Sequence, residues 1–489
     1  MIFLGDEANP WEDPTAQVLV LAGTAEQRPG LLAEADARLG LRVTRSIERR
    51  EPGTQPGTLT VVDVDHDAWH RVAYLVLAEG TESARSAGVA LAGGVPVDAV
   101  VVLADGVSDD QVAALLEGWC LAGYRYSLKS TEPAVDGALR LPRAAAAFGD
   151  AVATVAATTV ARDLANTPSN LKSPTWLADQ IRNRCRTAGL EASVMAEHDL
   201  REAGFGGLLS VAAGSAREPC LVTVRSPGSG TDAPRVVLIG KGVTYDSGGL
   251  SLKPADSMAL MKTDMAGAAA VTGAMLAYAA DPGRNADAEV IALLPLAENM
   301  PSGTAYRPDD VVCHFGGLTT EVSNTDAEGR LLLADMLAYT QAVLHPAVVI
   351  DIATLTGAAT SALSRHYAAL YADDEALAGQ LLAAGEVSGD RLWQLPLVDR
   401  YRTHLDSTVA DIAQTATDPG VRAGSIMAAL YLQRFVGDLT WGHIDMAGPA
   451  RADKPRGEHP VGATGFGTRL LATWLRTADL AAFSPRRAG

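Results

Sequence analysis

Along the chain, short uniformly apolar runs alternate with longer stretches whose apolar positions recur every three or four residues. Runs of the first kind predict strands and the longer ones predict amphipathic helices, so the alternation predicts an α/β fold. In the first third the strand candidates are "AQVLVLAG" (16–23), "RVAYLVLAEG" (71–80) and "AVVVLADG" (99–106), with helices over 28–39 and 84–91 between them. A long Ala-rich helical stretch then begins near 142 and ends in the turn residues Asn166, Pro168 and Asn170. This divides the chain into an α/β domain over 1–145, a linker helix over 146–165 and a second α/β domain over 166–489. The second domain has its own strands: "RVVLIGKG" (235–242), "EVIALLPLAEN" (from 289), "AVVIDIATLTG" (347–357) and "GHIDMAG" (442–448). Their apolar character on both faces predicts a mixed, mostly parallel sheet sandwiched by helices.

Composition narrows the classes. The formal charge of −18 repels phosphate backbones and anionic membranes, so nucleic acid is a poor partner. No run of about 18 apolar residues predicts a membrane span, and the acidic start of the sequence lacks the pattern of a secretory signal. The four cysteines, Cys120, Cys185, Cys220 and Cys313, are widely spaced and read as buried reduced thiols of a cytoplasmic protein.

The chemistry gathers after the strand ends of the second domain, where open α/β sheets place their ligands. Lys241 closes one strand; Asp246 follows in a Gly-flanked turn, then Lys253, then Asp264 at the mouth of a small-residue helix. Further on, "SNTDAEGRLLLAD" (323–335) sets Asp326, Glu328 and Arg330 at alternate positions before an apolar run. Alone, Thr325 to Glu328 matches a capping box, and each of the other residues fits a turn or a cap. Together, four carboxylates in one cleft would repel one another unless cations lay between them. A pair of divalent metals bridged by shared carboxylates resolves this and makes a hydrolytic site. The i, i+2 spacing puts Asp326 and Glu328 on one face of an extended segment.

At "NTDAEGRL" (324–331) the sequence resembles the leucyl aminopeptidase family, the cytosol aminopeptidases. The spacing of Lys241, Asp246, Lys253 and Asp264 is similar to that family's metal-site pattern. So are "NTPSN" (166–170), "GFGGLLSVAAGS" (204–215), "ENMPSGTAYRPDD" (298–310), "DIATLTGA" (351–358), "RAGSIMAALYLQRFV" (422–436), "WGHIDMAG" (441–448) and "GATGFGTRLL" (462–471). The resemblance implies a divergent macro-like first domain and a catalytic second one. It implies two divalent ions, Mn²⁺ or Zn²⁺ with Mg²⁺ possible in their place, held by Lys241, Asp246, Asp264, Asp326 and Glu328. Asp246 and Glu328 would bridge the ions, and Lys241 would have to bind as a neutral amine. Lys253 would stabilise the gem-diolate, and Arg330 would hold a bicarbonate ion acting as general base. Met261, Asn324, Thr354, Leu355 and Gly357 would line the cleft for a peptide with a free N-terminus. A homohexamer, a dimer of trimers, is implied as well.

The sequence departs from the family pattern at a few places. Tyr245 stands for the usual Phe, Ser323 for an aliphatic residue, Asp309 for Gly, and Ala266 for the first Gly of a doublet. The competing readings are an inactive hexameric scaffold, a DNA-binding role and a two-metal phosphohydrolase. The full set of polar site residues argues against the first, because burying them without a task would be costly.

Overall fold

The computed structural model describes residues 2–3, 11, 16–94, 98–131, 139–140, 145–230, 233–284 and 287–483. Most of the acidic start, the first residues of the Ala-rich stretch and the last six residues lie outside this set. The chain divides into two compact units, Met1–Ala156 with Lys454–Pro460, and Ala157–Asp453 with Val461–Gly489.

The first unit is built on a six-stranded sheet in the order Ile2–Phe3, Leu139–Arg140, Ala99–Leu103, Val18–Gly23, Arg71–Val76, Leu59–Asp63. Only the edge strand Leu59–Asp63 runs antiparallel. The central strand Val18–Gly23 is buried along its whole length, as its unbroken apolar run requires. The helices expected over 28–39 and 84–91 are Arg28–Leu39 and Thr81–Gly94.

The second unit carries a nine-stranded mixed sheet. Its order is Leu392–Gln394, Ala368–Ala372, Thr440–Asp445, Val348–Ala353, Arg235–Gly240, Glu289–Asn299, Cys220–Ser226, Glu191–Ala196, with Gly242–Asp246 paired to the end of Glu289–Asn299. Five pairings are parallel and three antiparallel. Alternation along Arg235–Gly240 divides the core. Val236 and Leu238 join a cluster with Val271 and Trp474, and Val237 and Ile239 join another with Leu332, Tyr431 and Trp441. Both faces are therefore covered, as a central strand apolar on each side demands.

Several local expectations change. The run over 235–242 is not one strand. It stops at Gly240, and Gly242–Asp246 is a second strand, so Lys241 sits at the break. Its N–H donates to the Ile352 carbonyl, and its own carbonyl accepts from the Ala268 N–H. Asp246 ends that second strand and is not a turn residue. Cys313 is exposed, whereas Cys185 and Cys220 are buried and Cys120 partly so; all four are free thiols. Burial pushes the Cys120, Cys185 and Cys220 thiols up to about 12.

The small-residue helix Ala266–Ala280 is buried almost all round within its own unit, so its alanines and glycines serve internal packing. A Cβ on Gly267 would lie 2.3 Å from the Ile352 carbonyl oxygen and 2.8 Å from the Lys241 nitrogen. The second glycine of the doublet is thus the one the geometry needs, which explains why Ala266 is tolerated. Asp309 adopts φ +70°, the left-handed region where glycine is free and Asp is tolerated. We expect Asp309→Gly to raise stability by about 0.5 kcal/mol and leave activity unchanged. The check is a denaturation midpoint that rises at constant slope.

Candidate metal centre

Four separate segments bring the polar side chains together. The first is the break at Lys241 together with the strand end at Asp246. The loop to Lys253 comes next. Its base closes through the Lys253 N–H to the Ser247 carbonyl (2.9 Å). The third is the 3₁₀ turn Met261–Thr263, followed by Asp264. The fourth is 323–328, a turn that runs straight into the helix Gly329–Tyr339 and not an extended segment. The Ala327 N–H donates to the Asn324 carbonyl within it. The capping box is absent as well, since the helix N-cap, Glu328, makes no side-chain capping bond. Thr325 instead reaches across the chain, donating to the Gly248 carbonyl (2.6 Å) and accepting from the Ser251 N–H (2.8 Å). Asp264 and Glu328 therefore stand at helix starts, and of the four acids only Asp246 stands at a strand end.

Carboxylate oxygens of Asp246, Asp326 and Glu328 lie within 4.8 Å of one another. Lys241 is 2.9 Å from Asp264, 2.7 Å from Glu328 and 2.8 Å from the Thr354 carbonyl oxygen. Lys253 is 2.8 Å from Asp246 and also pairs with Asp326. Three buried oxygens, Asp264 Oδ2, Asp326 Oδ1 and Glu328 Oε1, have a lysine ammonium at ion-pair distance but receive no directed hydrogen bond. Buried carboxylate oxygens that converge from several segments and meet lysine ammoniums are a donor set that suits hard divalent cations.

A family model described as "Cytosol aminopeptidase family, catalytic domain" matches residues 159–472. The chain belongs to the cytosol aminopeptidase family. It is 44% identical over 396 residues to a probable cytosol aminopeptidase of Roseiflexus castenholzii, covering 77% of this chain and 78% of the relative. A probable cytosol aminopeptidase of Geobacter sulfurreducens is 42% identical over 388 residues, 77% of each chain. Among solved structures, the bottromycin maturation enzyme BotP in complex with Mn superposes with a TM-score of 0.82 at 36% identity, covering 94% of this chain and 99% of BotP. Membership makes the protein a hydrolase, a metal-dependent exopeptidase acting on peptides.

In this aminopeptidase the carboxylates and lysines strongly perturb one another. Burial and then the neighbouring Glu328 raise Asp246 to about 7. Burial likewise holds Asp264 well above the usual carboxylate range and raises Asp326. Glu328 goes the other way: burial works against its charge, but Lys241 and Lys253 outweigh it and lower its pKa. Burial would lower Lys241 too, yet Asp264, Glu328 and Asp246 together raise it above the ordinary lysine range. A Cβ on Gly329 would lie 2.6–2.8 Å from Lys241 Cε, Cδ and Nζ, so the bare backbone at this position lets the lysine through.

The remaining residues expected at the site lie as follows. The Thr354 hydroxyl donates to Asp264 Oδ1 (2.8 Å), and the Leu355 N–H donates to Asp445 (3.2 Å). Gly357 starts the helix Gly357–Leu363 and is exposed, and Met261 is half-buried in the 3₁₀ turn. Asn324 is exposed, and its side-chain oxygen accepts the Asp326 N–H (2.9 Å). Arg330 is buried, its Nη1 donating to the Gln414 carbonyl (2.7 Å).

The sequence did not reveal the residues that hold these groups in place. Asn299 donates to Asp246 Oδ1 (2.8 Å) and to the Thr325 carbonyl (3.0 Å), and the Tyr306 hydroxyl donates to that same carbonyl (2.6 Å). Gln414 accepts from the N–H groups of Ser323 and Asn324 and donates to the Ala327 carbonyl. Asn299 and Tyr306 sit in the family-like segment 298–310, a signal that could have marked them. Gln414 sits in none of the matched segments.

Proposed function

We propose that the protein is a dinuclear metallo-aminopeptidase of the cytoplasm that releases N-terminal residues from peptides. The convergence of Asp246, Asp326 and Glu328, with Asp264 reached through Lys241, is the observation that carries this reading. Two divalent ions, Mn²⁺ or Zn²⁺ with Mg²⁺ as a third candidate, would be held by Lys241, Asp246, Asp264, Asp326 and Glu328. When bound they supply Lewis acidity and an activated water at neutral pH. Lys241 carries a proton while carboxylates and the Thr354 carbonyl face it, and two cations would reverse that balance and free its amine as a ligand. Lys253, half-buried and paired with Asp246 and Asp326, would offer its ammonium to a carbonyl oxygen as it gains charge, the role of an oxyanion hole. Arg330 has a buried Nε–H without a hydrogen-bond partner among the described residues, which supports its holding a small anion such as bicarbonate as general base.

Met261, Asn324, Thr354, Leu355 and Gly357 would frame the bound peptide. Residues 166–489 are the catalytic domain in this reading, 146–165 the connector and 1–145 a divergent macro-like domain. The assembly is a homohexamer, a particle of about 300 kDa. An inactive scaffold has no observation in its favour, since each ligand residue the resemblance implies is present and near another.

The test uses purified protein dialysed against a chelator and reloaded with Mn²⁺, Zn²⁺ or Mg²⁺. Hydrolysis of aminoacyl-anilides should vanish and return, with two ions bound per subunit and a higher rate in bicarbonate than in chloride. Metal bound without hydrolysis would favour the scaffold, and one ion per subunit would sink the dinuclear reading. Sedimentation at micromolar concentration tests the hexamer.

A further inference from the structure

Behind Arg330 lies a chain of buried polar groups that the proposed chemistry leaves without a task. The Arg330 guanidinium stands 6.0 Å from the centroid of the Tyr431 ring. The Tyr431 hydroxyl lies 2.8 Å from the Thr320 hydroxyl and 3.2 Å from His314 Nε2, and Thr320 is itself 2.9 Å from that nitrogen. His314 Nδ1 is 2.9 Å from Asp335 Oδ1. Asp335 also accepts the N–H groups of Phe315 (3.1 Å) and Leu208 (2.9 Å). All these side chains are buried.

The directions follow from the acceptors. A carboxylate that takes two backbone N–H groups makes Nδ1 the donor to Asp335, and in the neutral ring Nε2 is then an acceptor. The Thr320 and Tyr431 hydroxyls converge on it. The chain also closes on itself. Tyr431 lies on the helix Gly424–Gln433, Thr320 on the strand Thr319–Glu321, and Asp335 on the helix Gly329–Tyr339 that carries Arg330. The ring face is thereby fixed relative to the helix of the arginine it supports. Among the described residues the guanidinium makes one hydrogen bond, to the Gln414 carbonyl, so that bond and the ring face set the plane of the fork.

We propose that Tyr431 is a positioning residue for Arg330, its ring a platform for the guanidinium and its hydroxyl locked by the Thr320–His314–Asp335 chain. The inference rests on the proposed role of Arg330 as holder of the anionic base. A planar fork turned out of line no longer presents its N–H groups to that anion, and small misplacements of this kind slow turnover more than they weaken binding.

The experiment compares Tyr431→Met and Tyr431→Phe in the metal-loaded enzyme, each alone and in an Arg330→Ala background. The probes are an aminoacyl-anilide and added sodium bicarbonate, with sodium chloride as control. Tyr431→Met should lower kcat about tenfold with KM within about twofold, and blunt the response to bicarbonate. Tyr431→Phe keeps the ring and should lose about two- to threefold. Metal content should stay at the wild-type value, and neither change should cost more once Arg330 is Ala, because a residue acting through another adds nothing when that other is gone. Losses that multiply in the Arg330→Ala background, a fall in bound metal, or a wild-type kcat in Tyr431→Met would each overturn the inference. If Tyr431→Met does not fold, Tyr431→Phe carries the same test of non-additivity. An Arg330→Ala enzyme with unchanged kcat would overturn the assigned role of Arg330 and this inference with it, and would be recognised without any Tyr431 variant.

Discussion

Glu328→Ala is expected to lose bound metal and turnover together while the protein stays folded. The carboxylate is buried, lies 2.7 Å from Lys241 and offers an oxygen beside those of Asp246 and Asp326, so its removal opens the centre of the donor set. We expect kcat/KM to fall roughly a thousandfold or more, because losing a ligand proposed to be shared by both ions would remove the Lewis acidity they supply. The competing view of Glu328 as a helix cap predicts the opposite: activity kept and about 1 kcal/mol of stability lost. The structure argues against that loss, since no side-chain capping bond exists to be broken. In the metal-free protein two effects oppose each other. Lys241 loses one partner but keeps Asp264, and the remaining carboxylates lose a neighbour that repels them. Metal analysis, a melting curve and anilide kinetics on one preparation decide the matter. Retained turnover with a lower melting temperature would sink the ligand assignment.

What could be read from the sequence depended on how local the cause was. The buried strands Val18–Gly23, Arg71–Val76, Arg235–Gly240 and Glu289–Asn299 announced themselves because an apolar run and its burial are the same local fact. The strands Leu59–Asp63 and Glu191–Ala196 did not, since each borders its sheet and mixes exposed with buried positions. The break at Lys241 was hidden for another reason. There Lys241 bonds through its backbone to Ile352 and Ala268, residues far from it in the chain. The same distinction holds at the site. Lys241, Asp246, Asp264, Asp326 and Glu328 stood out as residue types at family-like spacings. Their supports did not, because Asn299 meets Asp246 across 53 positions and Gln414 meets Asn324 across 90. Thr325 shows how a local reading can mislead. Its spacing to Glu328 fits a cap, and its hydroxyl is used 77 residues away at Gly248.

Lys241 and Lys253 give the second large effect, because one residue type is asked to do two different jobs. Lys253 is half-buried and pairs with Asp246 and Asp326, so Lys253→Ala takes a competing cation away from two carboxylates of the proposed ligand set. Both ions should still bind, and kcat should fall about a hundredfold with KM little changed, since in the proposed role the ammonium acts where charge develops in the transition state. Lys241 is buried against Asp264, Glu328 and the Thr354 carbonyl. Lys241→Ala removes a proposed ligand, so one ion should bind weakly and activity should return in part as metal is added. The metal-free proteins should diverge too. Without Lys241, buried Asp264 loses its lysine partner and Glu328 keeps only the charge of Lys253, and breaking a buried pair of this kind costs about 3–5 kcal/mol. Lys253→Ala should cost less in chelator, because Asp326 is partly exposed and water can take the place of the ammonium. Metal titration, kinetics and melting curves with and without chelator separate the two variants. Equal metal loss in both, or rescue of Lys253→Ala by excess metal, would show that the roles are reversed or shared.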